Sequence, residues 1–360
     1  MDGAGLRVER EAARRAFVAG TDWASATVLP LAADASTRSY ARLSGGPRPA
    51  LLMDAPPAAE TAACPPDATP AARAALGYNA EARLAGSSLA AFAGLSDWLR
   101  ARSVHAPEIF ARDETQGFAV IEDMGDRLLA RSSDDDAAER AHYARALGPL
   151  ARLREAGAVP GDVGGWPLQT YDETALLAEA RLLPEWYVPY TGGTLTEDAA
   201  AAYDVAWREA LSALGPCDTL VLRDYHAENI LVLDDGDGDG VGVIDFQDAL
   251  IGSSAYDLAS LLEDARRDVG ERAARDLYAQ HADGAADRAR FEIDYALLAA
   301  QRNAKILGIF ARLIERDGKP RYGAFLPRVR AHLTRDLARP PLEPVRGWMR
   351  DHLPELVAAP

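Results

Sequence analysis

The sequence predicts an α+β fold of two lobes: a small antiparallel sheet within residues 1–121, a short joint at 122–126, and a mainly helical lobe over 127–360. Three observations predict it. Short β-type runs separated by turn residues crowd the N-terminal part. From residue 134 onward the apolar residues recur mostly at helical spacing. A chain of 360 residues with 48% hydrophobic residues is long enough for two lobes with a real core.

In chain order, residues 7–19 read as an amphipathic helix and Thr27–Leu31 as a strand. A turn of small and polar residues at 33–37 leads into an alternating strand through Leu43. Ser44-Gly45-Gly46-Pro47 turns the chain into a third strand, Ala50–Asp54. The hydroxyls and backbone N–H groups of the 33–37 turn, Ser36 and Thr37 among them, suit a phosphate, as they would suit an ordinary hairpin. Residues 55–75 are rich in Ala and Pro and read as a surface loop entering a helix. Residues 76–102 carry Leu84, Leu89, Phe92, Leu95 and Leu99 at helical spacing. Ile109-Phe110 and Phe118–Ile121 form a hairpin, and Glu122-Asp123-Met124-Gly125-Asp126 follows as an acidic segment.

A helix is expected from Asp134 to about Ala156, its acidic residues favourably placed at the N-terminus. A glycine-rich loop spans 160–167. Helical segments follow at 171–183 and 196–214, and between them lies Pro184-Glu185-Trp186-Tyr187-Val188-Pro189-Tyr190, an aromatic cluster that reads either as core or as the wall of a small-molecule pocket. Residues 252–262 enter a helix with Asp257 near its start. That carboxylate can accept backbone N–H bonds from the loop carrying Asp224 or cap its own helix. Helices continue at 271–281, 286–315 and 324–338.

The stretch 220–248, LVLRDYHAENILVLDDGDGDGVGVIDFQD, organises the chain. Two β-branched runs flank an Asp-Gly-rich turn, the pattern of a hairpin. Asp224, Asn229 and Asp245 then lie at one end of it. The turn itself, from Asp235, matches the start of an EF-hand loop. Its twelfth position is Phe246 rather than a bidentate Glu, and its flanks are strands, so a solvated hairpin tip is the better reading.

Net charge is −16, which argues against general nucleic-acid binding. Cys64 and Cys217 make neither a disulfide framework nor a metal-ligand spacing. The chain opens on no signal-peptide pattern, and no apolar run reaches the ~20 residues of a membrane helix, so a cytoplasmic protein with no membrane partner and no obligate protein partner is expected.

Several motifs carry a resemblance: Asp34-Ala35-Ser36-Thr37-Arg38-Ser39-Tyr40, Met53-Asp54-Ala55-Pro56-Pro57, Glu122-Asp123-Met124-Gly125, Arg223-Asp224-Tyr225-His226-Ala227-Glu228-Asn229, Asp245-Phe246-Gln247-Asp248-Ala249, Tyr256–Leu262 and Gln301–Gly308. Through them the chain resembles the aminoglycoside phosphotransferase-like branch of the protein-kinase-like fold. More narrowly it resembles the anomeric N-acetylmuramate/N-acetylglucosamine kinases of bacterial cell-wall recycling.

The resemblance implies ATP and Mg2+ as cofactors and an amino sugar as substrate. It implies Asp224 as the group that orients the acceptor hydroxyl and takes its proton, and Asn229 and Asp245 as magnesium ligands. It implies Ser36, Thr37, Arg38 and Arg42 on the phosphates, Glu122 and Met124 at an adenine-binding hinge, and Glu185, Trp186, Tyr187, Arg302 and Lys305 toward the acceptor. Arg223, His226, Asp248 and Asp257 would support the site. Two departures stand out. Leu222 occupies the place of the usual catalytic-loop His, and Met53 that of the strand Lys, so the phosphate charge must be met elsewhere, with Arg38 or Arg42 as candidates and magnesium supplying the rest. Kinases of aminoglycosides, choline or homoserine are the nearest alternatives. A nucleotide-binding pseudokinase scaffold is the alternative of another class, and the joint presence of Asp224, Asn229 and Asp245 argues against it.

Overall fold

In a computed structural model of the chain, residues 3–32, 38–57, 64–84, 88–132, 135–157, 159, 161–233 and 239–358 are described, with side chains from residue 8 onward. The Ser36 and Thr37 expectations lie outside these residues, as does most of the Asp-Gly tip.

The N-terminal strands are β1 (Thr27–Pro30), β2 (Ser39–Ser44), β3 (Ala50–Asp54), β4 (Ile109–Asp113) and β5 (Phe118–Glu122). They form one antiparallel sheet in the order β1-β2-β3-β5-β4. Strand periodicity sends alternate residues to opposite faces. Ala50, Leu52 and Val120 join Val18 and Trp23 in a small cluster beneath helix α1 (Gly3–Ala19), while Met53, Ala119 and Ile121 join the main core. Arg10 clamps α1 to the sheet: its Nε donates to Asp54 at 3.0 Å and its guanidinium lies 3.9 Å over the Phe118 ring.

The helical run expected over 76–102 is broken. Helix α2 (Pro70–Leu76) stops at Gly77, whose φ is +94°; a π-helical turn covers Asn79–Arg83; Leu84 takes φ +62°; and helix α3 (Leu89–Arg100) starts afresh on a Ser88 cap. Periodicity shows which residues face the core, but it does not show a left-handed break between them.

The remainder is mostly helical. Helix α4 (Asp136–Glu155) is capped by Asp135, which accepts from the N–H groups of Ala137 and Ala138. A two-residue hairpin, β6 (Asp162–Val163) and β7 (Trp166–Pro167), replaces the expected loop. Helix α5 (Glu173–Ala180) continues through a π-helical turn into the short α6 (Val188–Tyr190), and α7 (Glu197–Leu211) starts on a Thr196 cap. Then come β8 (Thr219–Val221), β9 (Ile230–Val232), β10 (Val241–Val243) and β11 (Leu250–Gly252), with β8 paired to β11 and β9 to β10.

Helices α8 (Ala255–Leu262), α9 (Glu271–Ala282), α10 (Arg288–Glu315) and α11 (Leu326–Leu337) follow, and α12 (Glu343–His352) adds one that the sequence pattern left out. The long α10 is the central post, its residues from Tyr295 to Asn303 buried without a break. It passes so close to the turn after α5 that a Cβ on Gly308 would stand 2.2 Å from the Leu182 carbonyl carbon.

Candidate active site

The β9–β10 hairpin builds the site. Val232 pairs with Val241 and Ile230 with Val243, and the ladder extends through the Ile244 N–H to the Asn229 carbonyl at 3.0 Å. This register brings Asn229, just before β9, next to Asp245, just after β10: Asn229 Nδ2 is 3.5 Å from Asp245 Oδ2. The other end of the hairpin is fastened to α4, where Asp239 accepts from Arg152 Nη2 at 3.0 Å.

Asp224 reaches the same spot by a strained turn. Arg223 has φ +70° and Asp245 φ +60°. Non-glycine residues hold such values only where the surroundings impose them. For Arg223 the constraint is Asp257, whose carboxylate accepts from the Leu222 N–H at 2.7 Å and the Arg223 N–H at 2.9 Å. Of the two roles open to Asp257, this is therefore the bond it makes. Burial pushes its carboxyl up to about 7, against the pull of those two N–H donors. Leu222, in the usual His position, is buried and contributes packing. The Asn229 amide donates to the Asp224 carbonyl at 2.9 Å, closing the loop, and His226 caps its short 3-10 turn, with its ring 3.4 Å from Asn229 Nδ2. Asp264, which the sequence pattern did not single out, accepts from the Ala227 N–H at 3.2 Å.

Asp224 and Asp245 have exposed surfaces yet sit low among surrounding protein. Burial alone raises the Asp224 carboxyl, but Lys305, His226, Arg223 and Arg302 outweigh it, and its pKa is lowered. At Asp245 burial and the Asp224 charge prevail over the 2.7 Å hydrogen bond from Gln247 and the charge of Arg38, and the pKa is raised. A second cation at Asp245 would relieve that strain. One carboxylate and one amide oxygen are the small hard-oxygen set that Mg2+ uses when phosphates complete its shell. Among the described residues there is no cluster of three or more His, Cys, Asp or Glu that could hold a metal ion.

The remaining expected residues divide. Arg38 is buried just before β2, with its charge felt at Asp245. Arg42 is committed elsewhere: its Nε donates to Asp123 at 2.5 Å and its Nη2 to Asp126 at 2.8 Å, so it fastens the 122–126 segment to the sheet instead of facing a phosphate. Met53 is wholly buried. The Glu122 carboxylate meets His105 Nε2 at 2.9 Å and the Glu108 N–H at 3.0 Å, so the side chain braces β5. Met124 covers β10; a Cβ on Gly242 would come within 2.8 Å of its sulfur. Asp248 holds Arg83 at 2.6 Å.

Toward the acceptor side, Tyr187 is 1% exposed and belongs to the core, with Trp186 packed against it half-buried. Burial takes Tyr187 out of the substrate contacts expected for it. Glu185 lines a cavity of about 540 Å³ between α6 and α7, and none of Asp224, Asn229 or Asp245 borders that cavity. Arg302 is buried, donating to the Glu263 carbonyl at 3.3 Å. Lys305 pairs with Glu179 at 2.8 Å. Glu179, also missed in the sequence, is buried between Lys305 and Arg223; its one signal was a lone carboxylate among apolar residues in LLAEARLL.

Fold and site together define a phosphotransferase, and the chain belongs to the Phosphotransferase enzyme family, whose pattern it matches over residues 27–293. It is 41% identical, over 97% of its length and 98% of the relative's, to the N-acetylmuramate/N-acetylglucosamine kinase of Caulobacter vibrioides. It is 32% identical to the protein of the same name from Pseudomonas aeruginosa, over 92% of this chain and 89% of that one. Its fold is also that of a choline/ethanolamine kinase family protein from Mesorhizobium loti, with a TM-score of 0.55 at 14% identity over 95% of this chain and 99% of that one. No helix among the described residues is long and apolar enough to cross a membrane.

Proposed function

We propose that the protein is an ATP-dependent, cytoplasmic sugar kinase that phosphorylates the anomeric hydroxyl of N-acetylmuramate, N-acetylglucosamine or both, giving the sugar 1-phosphate in peptidoglycan recycling. The observation that carries this reading is the meeting of Asp224, Asn229 and Asp245 at one end of the β9–β10 hairpin. Near full-length similarity to relatives bearing the amino-sugar kinase name supports the substrate.

The sheet of residues 1–121 covers the nucleotide, 122–126 forms the hinge, and 127–360 carries the acceptor. Asn229 and Asp245 hold Mg2+, which when bound neutralises charge on the ATP phosphates. Arg38, whose positive charge acts on Asp245, adds to the counter-charge for the phosphates. Asp224, kept ionised by the surrounding cations, orients the acceptor hydroxyl and accepts its proton as the new P–O bond forms. Asp257 and Arg223 keep that carboxylate aimed.

An ATP-consumption assay against a panel of amino sugars, aminoglycosides, choline and homoserine tests the substrate. The expected outcome is turnover of N-acetylmuramate or N-acetylglucosamine with phosphorus coupled to the sugar H1 in the product NMR spectrum. Phosphorylation of another hydroxyl, or turnover of only the other acceptors, would overturn it.

A further inference from the structure

An unpaired carboxylate among leucines is costly, so the surroundings of Glu179 on α5 call for explanation. Only 1% of it is exposed. It accepts from Arg223 Nη2 and the Tyr171 hydroxyl, from Lys305 Nζ at 2.8 Å, and from Gln301 Nε2 at 3.4 Å. These partners come from three places: the turn before Asp224, the segment leading into α5, and the middle of α10. Arg223 is held further by the Arg83 carbonyl at 2.9 Å and by the Tyr171 ring 4.9 Å from its guanidinium carbon. One carboxylate therefore serves two cations: Arg223 adjoins Asp224 in the chain, and Lys305 is the cation whose charge acts most strongly on the Asp224 carboxylate. Arg223 is the residue next to Asp224, in a left-handed conformation that its surroundings must maintain. Lys305 keeps 13% of its side chain exposed and is one of only two lysines in a chain whose Lys and Arg total 39.

We infer that Glu179 is a positioning residue for phosphoryl transfer: through Arg223 it sets the turn that aims Asp224, and through Lys305 it fixes an ammonium near that carboxylate. Asp257 holds the backbone of the turn and Glu179 holds its side chain, so the turn is gripped at two points. A carboxylate that merely neutralised buried charge would have no need to reach the catalytic turn and α10 together. The inference rests on the reading of Asp224 as the proton acceptor.

The test compares wild type with Glu179→Asp, Lys305→Gln and the double variant, using ATP and whichever sugar the wild type turns over. Glu179→Asp keeps the buried negative charge between Arg223 and Lys305 but draws the carboxylate back by one methylene, loosening both contacts. Its kcat should fall about tenfold or more in protein that remains folded, with KM for ATP and for sugar within about twofold. Lys305→Gln should lower kcat in the same pattern, and the double variant should lose little beyond the worse single one. A folded Glu179→Asp with kcat within about twofold of wild type would sink the inference. Should that variant fail to fold, Lys305→Gln decides: a rise in sugar KM at unchanged kcat marks a substrate contact and overturns the positioning role. If wild type uses neither amino sugar, the substrate reading fails, and the same comparison runs on the acceptor that the panel identifies.

Discussion

The side-chain amide of Asn229 donates to the backbone carbonyl of Asp224 at 2.9 Å, so one hydrogen bond ties an expected metal ligand to the main chain of the expected base. With its nitrogen engaged there, Asn229 has its oxygen left for a cation beside Asp245. Asn229→Ala and Asp245→Ala should each raise the Mg2+ concentration needed for half-maximal rate and lower kcat by roughly a hundredfold or more. Initial rates across a magnesium titration check this; an unchanged titration curve in both variants would remove the ligand assignment.

Asp224→Asn leaves a side chain of similar shape that cannot take a proton. Its kcat should drop by about a thousandfold while ATP binding, followed by calorimetry, stays within about threefold. Substantial residual turnover would mean that another group accepts the proton.

Gly308 sits where α10 meets the turn after α5, and an added Cβ would press on the Leu182 carbonyl carbon at 2.2 Å. Gly308→Ala should destabilise the fold by roughly 1–3 kcal/mol, because backbone atoms cannot step aside as a flexible side chain can. Chemical denaturation gives the value, and a variant as stable as wild type would show that the helix shifts freely.

His281 is 3% exposed, and burial together with nearby Arg154 lowers its pKa from 6.5 to about 4. The folded state thus holds it neutral while the unfolded chain takes up a proton first. Its contribution is fully present above about pH 6.5 and is lost as pH falls from there toward 4, a loss of roughly 3 kcal/mol. His281→Leu should flatten acid destabilisation in that window. Unfolding free energies of the two proteins at about pH 7.5 and 4 should converge, or cross, at the lower value; a constant gap would show that His281 does not titrate there.

Much of the site was legible because its parts are close in sequence. Asp224 and Asn229 share one loop, Asp245 follows one hairpin later, and a β-branched pattern with an Asp-Gly turn is sufficient to bring the hairpin ends together. Asp257 was legible as a backbone acceptor because it opens a helix just beyond. The engagements of Arg42 and Glu179 were not. Arg42 meets Asp123 and Asp126 from more than eighty positions away, and Glu179 meets Lys305 from beyond a hundred, distances over which only the packed fold decides who is adjacent. The break at Gly77 and Leu84 was hidden for a different reason, since apolar spacing continues across it while the backbone changes hand. Tyr187 was open between core and pocket, and its packing against Tyr190 and the core resolved it.

The burial of Met53 on the strand that usually carries a lysine has a consequence for chemical labelling. The chain's two lysines are Lys305, tied to Glu179, and Lys319, in the turn after α10. A nucleotide armed with an amine-reactive acyl phosphate finds no lysine anywhere along the five-stranded sheet. A reagent of that kind that depends on a lysine in the sheet would leave the sheet of this protein unlabelled.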